Sequence, residues 1–265
     1  MNNAARGNYA QVNGINLYYE VSGEGQPLIR LHGGFGSTEM FGAVVPELEA
    51  NHQVIGVDLQ GHGRTADIDR PMTFEAMADD IAALIAHLGF AQVDLMGYSL
   101  GGLVAQHVTL RHPELVRKLV LVSSPCKKSG WNQENITGMA QIPGSAESLK
   151  QTPMYQRYAQ VAPRVEDWPR LVDKLGNLLS SDYDWSDQIP SIKSPVMLIA
   201  GDADATLPRH MVEFFELLGG GQHDGNWDGS GMILSRLAII PAMTHYFIFD
   251  SPLLAPLVLP FLDGK

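Results

Sequence analysis

Short apolar runs alternate with amphipathic stretches along most of the chain. The runs are bounded by glycine, proline and polar residues, which favours strands, whereas the stretches between them carry the 3.6-residue period of helices. Strands that alternate with helices predict an α/β protein with a mostly parallel sheet and helices on both faces. The predicted strands lie within 27–34, 52–63, 93–99, 117–125, 194–204 and 235–241, and the predicted helices cover 38–50, 73–89, 100–112 and 251–263.

Turn and capping residues mark the ends of some elements. Alternating residues on both sides of Asn13-Gly14 predict a β-hairpin over 8–23, because this dipeptide favours the two-residue turns of hairpins. Thr73 suits the N-cap of the helix that follows it, and Gly89 suits the position just after that helix ends. The sequence therefore predicts an antiparallel hairpin ahead of the alternating part of the chain.

The alternation of strands and helices stops between residues 126 and 187. This stretch is rich in tryptophan, tyrosine and methionine, which linkers lack, so we expect a helical cap inserted into a core made of 1–125 and 188–265. Some of its apolar side chains should form one wall of a pocket, since methionine adapts to irregular apolar shapes. The residues predicted to line this pocket are Phe35 from the core and Trp131, Met139, Met154, Tyr155 and Trp168 from the insertion.

Composition limits the classes of partner. The 265 residues carry a formal net charge of −11, which disfavours nucleic acid and anionic membranes. No window approaches the roughly 18 consecutive apolar residues of a membrane-spanning helix, and the first ten residues lack the apolar core of a signal peptide. The single cysteine, Cys126, cannot form an internal disulfide. We therefore expect a cytoplasmic protein that binds a small molecule, and the sequence leaves its oligomeric state open.

The segment GYSLG, residues 97–101, matches the pattern Gly-x-Ser-x-Gly at a strand-to-helix junction. In such a turn the serine takes a strained conformation, and the residues two before and two after it must be very small. The turn raises Ser99 Oγ above the sheet edge at a helix N-terminus, where partial positive charge stabilises an anion. Ser99 is therefore the predicted nucleophile, and a glycine-rich turn without chemistry is the alternative.

A serine nucleophile needs a base, and the base needs an orienting carboxylate. Among the nine histidines, His245 follows the last predicted strand and precedes the last predicted helix, so its loop opens at the same sheet edge as Ser99. The strand before it ends in Gly-Asp-Ala-Asp. From these two acids we choose Asp204 as the orienting carboxylate and expect Asp202 to brace the turn.

The oxyanion that forms in acyl transfer needs backbone N–H donors. Leu100, the residue after the nucleophile, is expected to supply one of them. The second should come from the glycine-rich turn after the strand in 27–34, where Gly34 is our choice and Phe35 the alternative. His32, at the start of that turn, is predicted to be structural.

The glycine-rich stretch 219–231 contains the start of a calcium-binding pattern. Asp224, Asn226 and Asp228 fit Asp-x-Asn-x-Asp-Gly, but Ser235 stands at the twelfth position, where a bidentate glutamate is needed. The sequence also has no His/Cys spacing typical of zinc and no Gly-x-Gly-x-x-Gly at a helix start. We therefore predict neither a metal nor a cofactor and interpret this stretch as a solvated loop.

The motifs HGGFGS, VDLQGHGRT, GYSLGG, GDAD and THY together resemble the α/β-hydrolase superfamily over nearly the full chain. The resemblance implies an eight-stranded, mostly parallel sheet with a helical cap between strands six and seven, and the chain order nucleophile, acid, base. Some relatives place the acid after the strand in 117–125, but this chain has Ser123 and Ser124 there. Serine at position 99, in place of aspartate, disfavours dehalogenase and epoxide-hydrolase chemistry.

These residues predict a serine hydrolase that cleaves carboxylic esters through an acyl-enzyme. The runs GHGRTADIDRP, DWPRLVDKLG and GGGQHDGNWDGSG are also similar to serine-dependent macrolide esterases, which implies a macrolide lactone as substrate and a role in antibiotic resistance. A general small-ester carboxylesterase is an alternative of equal standing. Fold alone does not decide function, so two further alternatives remain. The triad of Ser99, His245 and Asp204 could carry out carbon–carbon bond hydrolysis, acyl transfer or perhydrolysis. The protein could also be a hydrolase-like receptor that only binds its ligand.

Overall fold

A single sheet organises the part of the chain that the computed structural model describes, residues 6–264. Its strands are β1 (Arg6–Val12), β2 (Ile15–Ser22), β3 (Gln26–Leu31), β4 (His52–Val57), β5 (Val93–Tyr98), β6 (Val116–Val122), β7 (Val196–Ala203) and β8 (Arg236–Thr244). They lie in the order β1-β2-β4-β3-β5-β6-β7-β8. The pairs β1/β2 and β2/β4 are antiparallel and the other pairs are parallel, so the predicted eight-stranded, mostly parallel sheet is confirmed.

The first two strands form the predicted hairpin. Asn13 and Gly14 have φ angles of 47° and 81°, which are the two positive values that a tight hairpin turn of this kind requires. Tyr19 of β2 pairs with Val57 of β4, and this pairing joins the hairpin to the parallel part of the sheet.

Helices cover both faces of the sheet, and buried side chains form one apolar cluster under each cover. Met77, Val104 and Phe214 belong to the cluster on one face, and Leu48 and Val258 belong to the other. No helix within residues 6–264 is both long and apolar enough to cross a membrane. The helices are α1 (Val45–Leu48), α2 (Phe74–His87), α3 (Leu100–Arg111), α4 (Gln133–Ala140), α5 (Ala146–Leu149), α6 (Pro153–Val161), α7 (Trp168–Ser180), α8 (Pro208–Leu217) and α9 (Leu254–Asp263).

Helix α2 has the predicted boundaries. The Thr73 hydroxyl accepts a hydrogen bond from Ala76 N–H at 3.0 Å, which satisfies one of the free donors at the start of the helix. Gly89 follows the end of the helix with a φ of 75°, a conformation that glycine adopts without the steric penalty of other residues.

The single helix predicted over 38–50 is wrong. A short 3₁₀ helix covers Thr38–Phe41, and one turn of α-helix, α1, follows it. Pro46 lies in the first turn of α1, where its missing N–H does no harm, but in a continuous helix it would remove a hydrogen bond. Proline therefore starts a new helix here.

Helices α4 to α7 lie between β6 and β7, in the region for which the sequence predicts a helical insertion; we refer to residues 126–187 as the insertion. Helix α7 is fastened to the core through Lys174. Its ammonium group donates to the Asp67 carboxylate at 2.7 Å and to the carbonyls of Ile68 and Arg70 at 2.8 Å. All three acceptors belong to the loop after β4, so the insertion is anchored on the core beside that loop.

The loop between α8 and β8 makes its own turns. Asp224 accepts a hydrogen bond from Asn226 N–H at 2.8 Å, and Asp228 accepts one from Ser230 N–H at 3.0 Å. Both are local turns that aspartate side chains commonly form. Trp227, between them, is fully exposed.

Candidate active site

Ser99 occupies the sharp turn between β5 and α3. Its φ and ψ angles are 51° and −118°, a strained combination for a residue with a side chain. A Cβ on Gly97 would lie 2.3 Å from the Gly101 carbonyl oxygen, and a Cβ on Gly101 would lie 2.3 Å from the Leu31 carbonyl oxygen. Both positions therefore require glycine, as the motif predicts.

A hydrogen-bonded relay starts at the Ser99 hydroxyl. Its Oγ lies 3.1 Å from Nε2 of His245, and Nδ1 of His245 lies 2.8 Å from Oδ1 of Asp204. Because a carboxylate only accepts, Nδ1 carries the proton and Nε2 is free to accept the serine proton. The structure thus brings together the three residues that the sequence predicts as nucleophile, base and acid.

The Asp204 carboxylate is buried and receives two hydrogen bonds on each oxygen. Oδ1 accepts from His245 and from Thr206 N–H at 3.0 Å, while Oδ2 accepts from Gly201 N–H at 3.0 Å and from Ser123 Oγ at 2.5 Å. Burial alone would raise the pKa of Asp204, but these donors and the charge of His245 hold the pKa below its ordinary value. The carboxylate therefore stays ionised beside the imidazole.

Aromatic groups hold the His245 ring from two sides. The Tyr98 hydroxyl donates to the His245 carbonyl oxygen at 2.7 Å, and the two ring centroids are 5.0 Å apart. Trp131 of the insertion presents its ring nearly perpendicular to the imidazole at 5.5 Å, and its Nε1 donates to the Tyr183 hydroxyl at 2.6 Å. The insertion therefore helps to fix the orientation of His245.

Asp202 has the bracing position expected for it. Its side chain is exposed, and its Oδ1 accepts a hydrogen bond from Met243 N–H at 3.2 Å. Hydrogen bonds from the N–H groups of Ala242 and Met243 lower the pKa of Asp202. This carboxylate thus ties the end of β7 to β8 and does not contact His245.

The residues predicted to supply donors for an oxyanion lie at the same cavity as Ser99. Gly34, Phe35 and Leu100 all line it. Gly36 N–H donates to the Gly33 carbonyl at 3.0 Å and closes a tight turn in which Phe35 has a φ of 58°. In the part of the chain that the structure describes, Gly34 N–H and Phe35 N–H donate to no protein acceptor. Either is free to bind an oxyanion together with Leu100 N–H.

His32 supports this turn from beneath, as predicted. Leu59 N–H donates to Nε2 of His32 at 3.1 Å, so Nδ1 carries the proton and donates to the Gly33 carbonyl at 2.7 Å. Burial lowers the pKa of His32 to about 3, and the neighbouring His62 adds to the effect. The imidazole is therefore neutral and acts as a fixed hydrogen-bonding link.

Asp58 fixes the far end of the same turn, a role that no local pattern in the sequence indicates. Its fully buried carboxylate accepts hydrogen bonds from Thr38 N–H at 2.7 Å and from Arg64 N–H at 2.8 Å. Burial nevertheless raises the pKa of Asp58 to about 7. A Cβ on Gly63 would lie 2.2 Å from this carboxylate, which explains the glycine in the motif GHGRT.

The relay opens into a cavity of about 1020 Å³ between the core and the insertion. The insertion contributes aliphatic and methionine side chains to the cavity lining, and both the insertion and the core contribute charged side chains. The apolar group is Met139, Ile142, Leu149, Met154, Val161 and Leu179, and the charged group, the triad apart, is Glu39, Glu134, Arg157 and Asp250.

The cavity lining corrects part of the predicted pocket. Tyr155 and Trp168 do not line it. Trp168 is fully buried, its Nε1 donates to the Ala146 carbonyl at 3.0 Å, and its ring packs against Tyr155 at 5.2 Å. Trp168 packs the interior of the insertion, because a ring enclosed on every side cannot also face a cavity, and the half-buried Tyr155 packs against it. The predicted residues that do line the cavity are Phe35, Trp131, Met139 and Met154.

The sheet, the strained serine turn and the serine–histidine–aspartate relay are features of the α/β-hydrolase fold. In sequence, the family described as alpha/beta hydrolase fold matches residues 26–153. The chain has the α/β-hydrolase fold, and the family match covers just under half of its length.

Esterases and hydrolases are among the proteins that this chain resembles. It is 45% identical to a pimeloyl-[acyl-carrier protein] methyl ester esterase from Neisseria meningitidis over 36% of this chain and 34% of that protein, so the match spans about a third of that esterase. It is 27% identical to serine hydrolase BPHL from Mus musculus over 77% of this chain and 72% of that protein. A thermophilic esterase from Thermogutta terrifontis, 23% identical, shares the fold with a TM-score of 0.75 over 98% of each chain.

Proposed function

We propose that this protein is a serine hydrolase that cleaves carboxylic esters through a covalent acyl-enzyme. The observation that carries the proposal is the relay from Ser99 to His245 to Asp204, with distances of 3.1 and 2.8 Å, at the wall of a large cavity. Nucleophilic acyl transfer needs a hydroxyl that contacts a base, and a buried carboxylate that contacts the same base.

In the acylation step, Ser99 Oγ attacks the ester carbonyl carbon while Nε2 of His245 takes the hydroxyl proton. Asp204 stabilises the imidazolium that forms. The negative charge on the former carbonyl oxygen is bound by Leu100 N–H and by Gly34 N–H, or by Phe35 N–H in its place. His245 then gives its proton to the leaving alkoxide as the ester C–O bond breaks.

Deacylation reuses the same groups. A water molecule attacks the acyl-enzyme carbonyl as His245 takes one of its protons. The bond to Ser99 Oγ breaks, His245 returns the proton to that oxygen, and the carboxylic acid leaves. One water is consumed for each ester cleaved, and the resting enzyme is restored.

The substrate that we propose is a macrolide lactone. The cavity, at about 1020 Å³, is at the upper end of the range of small-molecule sites, so a short ester would leave most of it unfilled. Its aliphatic side chains suit a broad apolar ring. Among the charged groups of the lining outside the triad, Glu39 is paired with Arg64. The remaining acids, Glu134 and Asp250, outnumber Arg157, and the net charge of −11 has the same sign, which favours the cationic amino sugar of macrolides.

Macrolides of several ring sizes are incubated with the purified protein and analysed by mass spectrometry. This experiment tests both the proposed reaction, ester hydrolysis, and the proposed substrate, a macrolide lactone. We expect a gain of one water, because lactone hydrolysis gives a linear hydroxy acid in one piece, and we expect no gain with Ser99→Ala. Unchanged macrolides beside rapid cleavage of short p-nitrophenyl esters would instead identify a small-ester carboxylesterase. Unchanged substrates of both kinds would contradict ester hydrolysis itself and favour a binding protein.

A further inference from the structure

A buried hydroxyl contacts Asp204 from outside the predicted relay of Ser99, His245 and Asp204. Ser123 is the residue after β6, and β6 lies beside β7, the strand that leads to Asp204. Its side chain has no exposed surface, and its Oγ donates to Oδ2 of Asp204 at 2.5 Å. A hydrogen bond to a carboxylate at this distance is of the strong, charge-assisted kind.

The backbone at Ser123 is strained. Its φ is 52°, in the left-handed region that glycine occupies freely and other residues occupy at a cost. Its N–H donates to the Ile199 carbonyl of β7 at 2.8 Å, which holds the strained residue against the neighbouring strand. Glycine would suit this backbone better, so what the chain gains from serine at this position is the hydroxyl group.

The Ser123 hydroxyl restricts rotation of the Asp204 carboxylate. Oδ1 of Asp204 faces His245, and within residues 6–264 the Ser123 hydroxyl is the side-chain donor to Oδ2, beside the Gly201 backbone N–H. Turning the carboxylate away from His245 would break the bond to Ser123. The geometry therefore couples the position of Ser123 Oγ to the direction in which Asp204 accepts from the imidazole.

We propose that Ser123 is a positioning residue for the reaction: its hydroxyl holds the Asp204 carboxylate in the orientation that serves His245, and it acts through Asp204 alone. This inference rests on the proposed function of the relay. It predicts that Ser123 affects the chemical step without affecting how substrate binds.

Steady-state hydrolysis of p-nitrophenyl acetate by Ser123→Ala and Ser123→Gly tests the effect. We expect kcat to fall roughly tenfold or more in both variants with KM nearly unchanged. Glycine occupies this left-handed backbone without strain, so backbone strain cannot explain a loss of kcat in the glycine variant. Ser235→Ala is the matched control, because it removes another buried hydroxyl, one that accepts from Val196 N–H at the far end of β7, and it should keep wild-type kcat.

A double-mutant cycle separates positioning from a general structural role. In an Asp204→Asn background we expect Ser123→Ala to change the residual kcat by less than about threefold, because the group through which it acts is gone. Additive losses of kcat in the double variant would overturn the positioning role, as would wild-type kcat in both Ser123 variants. In either case, turnover that still depends on Ser99 would leave the proposed function intact. Turnover that survives Ser99→Ala would overturn both.

Discussion

At the scale of single residues, two aspartates in one short motif differ in role because their surroundings differ. Asp204 is buried and receives four hydrogen bonds, one of them from His245. Asp202 is exposed and binds the backbone of Met243. A carboxylate can stabilise an imidazolium only if it contacts it, so the two acids should contribute very unequally to the reaction.

Substituting each acid by its amide tests this difference. Asp204→Asn should lower kcat by on the order of 10³–10⁴, because an amide no longer fixes the tautomer in which Nε2 accepts the serine proton. Asp202→Asn should cost far less and serves as the matched control. The assignment is contradicted if kinetics with p-nitrophenyl acetate show the larger loss in Asp202→Asn.

The sequence contained enough information to predict the relay but not its supports. Ser99, Asp204 and His245 each follow a recognisable strand, and the ends of neighbouring parallel strands meet at one edge of the sheet. Ser123 and Tyr98 carry no comparable signal, because their partners lie 81 and 147 residues away along the chain. Side-chain contacts of this kind depend on packing, which periodicity does not encode.

At the scale of elements, the turn between β5 and α3 depends on close approach of the backbone. A Cβ on Gly101 would meet the carbonyl oxygens of Leu31 and His32 at 2.3 and 2.6 Å. Neither atom can move without displacing the turn over residues 33–36, which carries the proposed oxyanion donors. The turn at Ser99 and the turn over residues 33–36 are therefore packed as one unit.

Gly101→Ala should accordingly damage stability and chemistry together. We expect a loss of several kcal/mol in the free energy of unfolding, or no folded protein, and in any folded fraction a sharp fall in kcat. Gly138→Ala is the control: this glycine lies in α4 with nothing within 4 Å of an added Cβ, so alanine should stabilise by roughly 0.5–1 kcal/mol. Equal stability of the two variants in urea unfolding would contradict the packing described for the turn.

The sequence predicts elements with strong local signals, such as α2, but it does not predict the structure of the stretch 38–50. Thr73 and Gly89 cap α2 as expected, since both act on backbone groups next to them. The stretch 38–50 has helical composition, but its first part is fixed by the bond from Thr38 N–H to Asp58, a contact that no local pattern shows. The rings of Tyr155 and Trp168 illustrate the same limit, because an aromatic residue suits an interior as well as a pocket.

At the scale of the whole molecule, buried histidines make stability depend on pH. Burial lowers the pKa of His32 to about 3 and that of His62 to about 4. Above about pH 6.5 these side chains are neutral in the folded and unfolded chain alike; below it, only the unfolded chain gains protons. Their contribution to stability is therefore lost as pH falls from about 6.5 toward 4 and then 3.

Urea unfolding across pH should show this loss. Between pH 6.5 and 4 we expect His62 alone to remove on the order of 3 kcal/mol from the free energy of unfolding, with His32 adding a comparable amount. In Asp58→Asn, which lacks the opposing titration of Asp58, a free energy of unfolding that stays constant or rises over this range would show that the two imidazoles are not held neutral in the folded protein.

Protonation of Asp58 changes the free energy of unfolding in the opposite direction. Burial raises its pKa to about 7, so between pH 7 and about 4 the folded chain binds a proton that the unfolded chain does not, and stability rises as pH falls. Asp58→Asn removes this opposing effect. We therefore expect a steeper loss of stability on acidification in the variant than in the wild type, measured by the same urea titrations; an identical slope would mean that Asp58 stays ionised throughout.

Covalent labelling decides whether Ser99 is the nucleophile of an acyl-transfer reaction. The wild type and Ser99→Ala are treated with a fluorophosphonate, and the modified peptide is located by mass spectrometry. We predict one label per chain on Ser99 in the wild type, and no label and no ester turnover in a Ser99→Ala protein whose circular dichroism is unchanged. A label on another residue, or ester turnover that persists in Ser99→Ala, would contradict this role of Ser99.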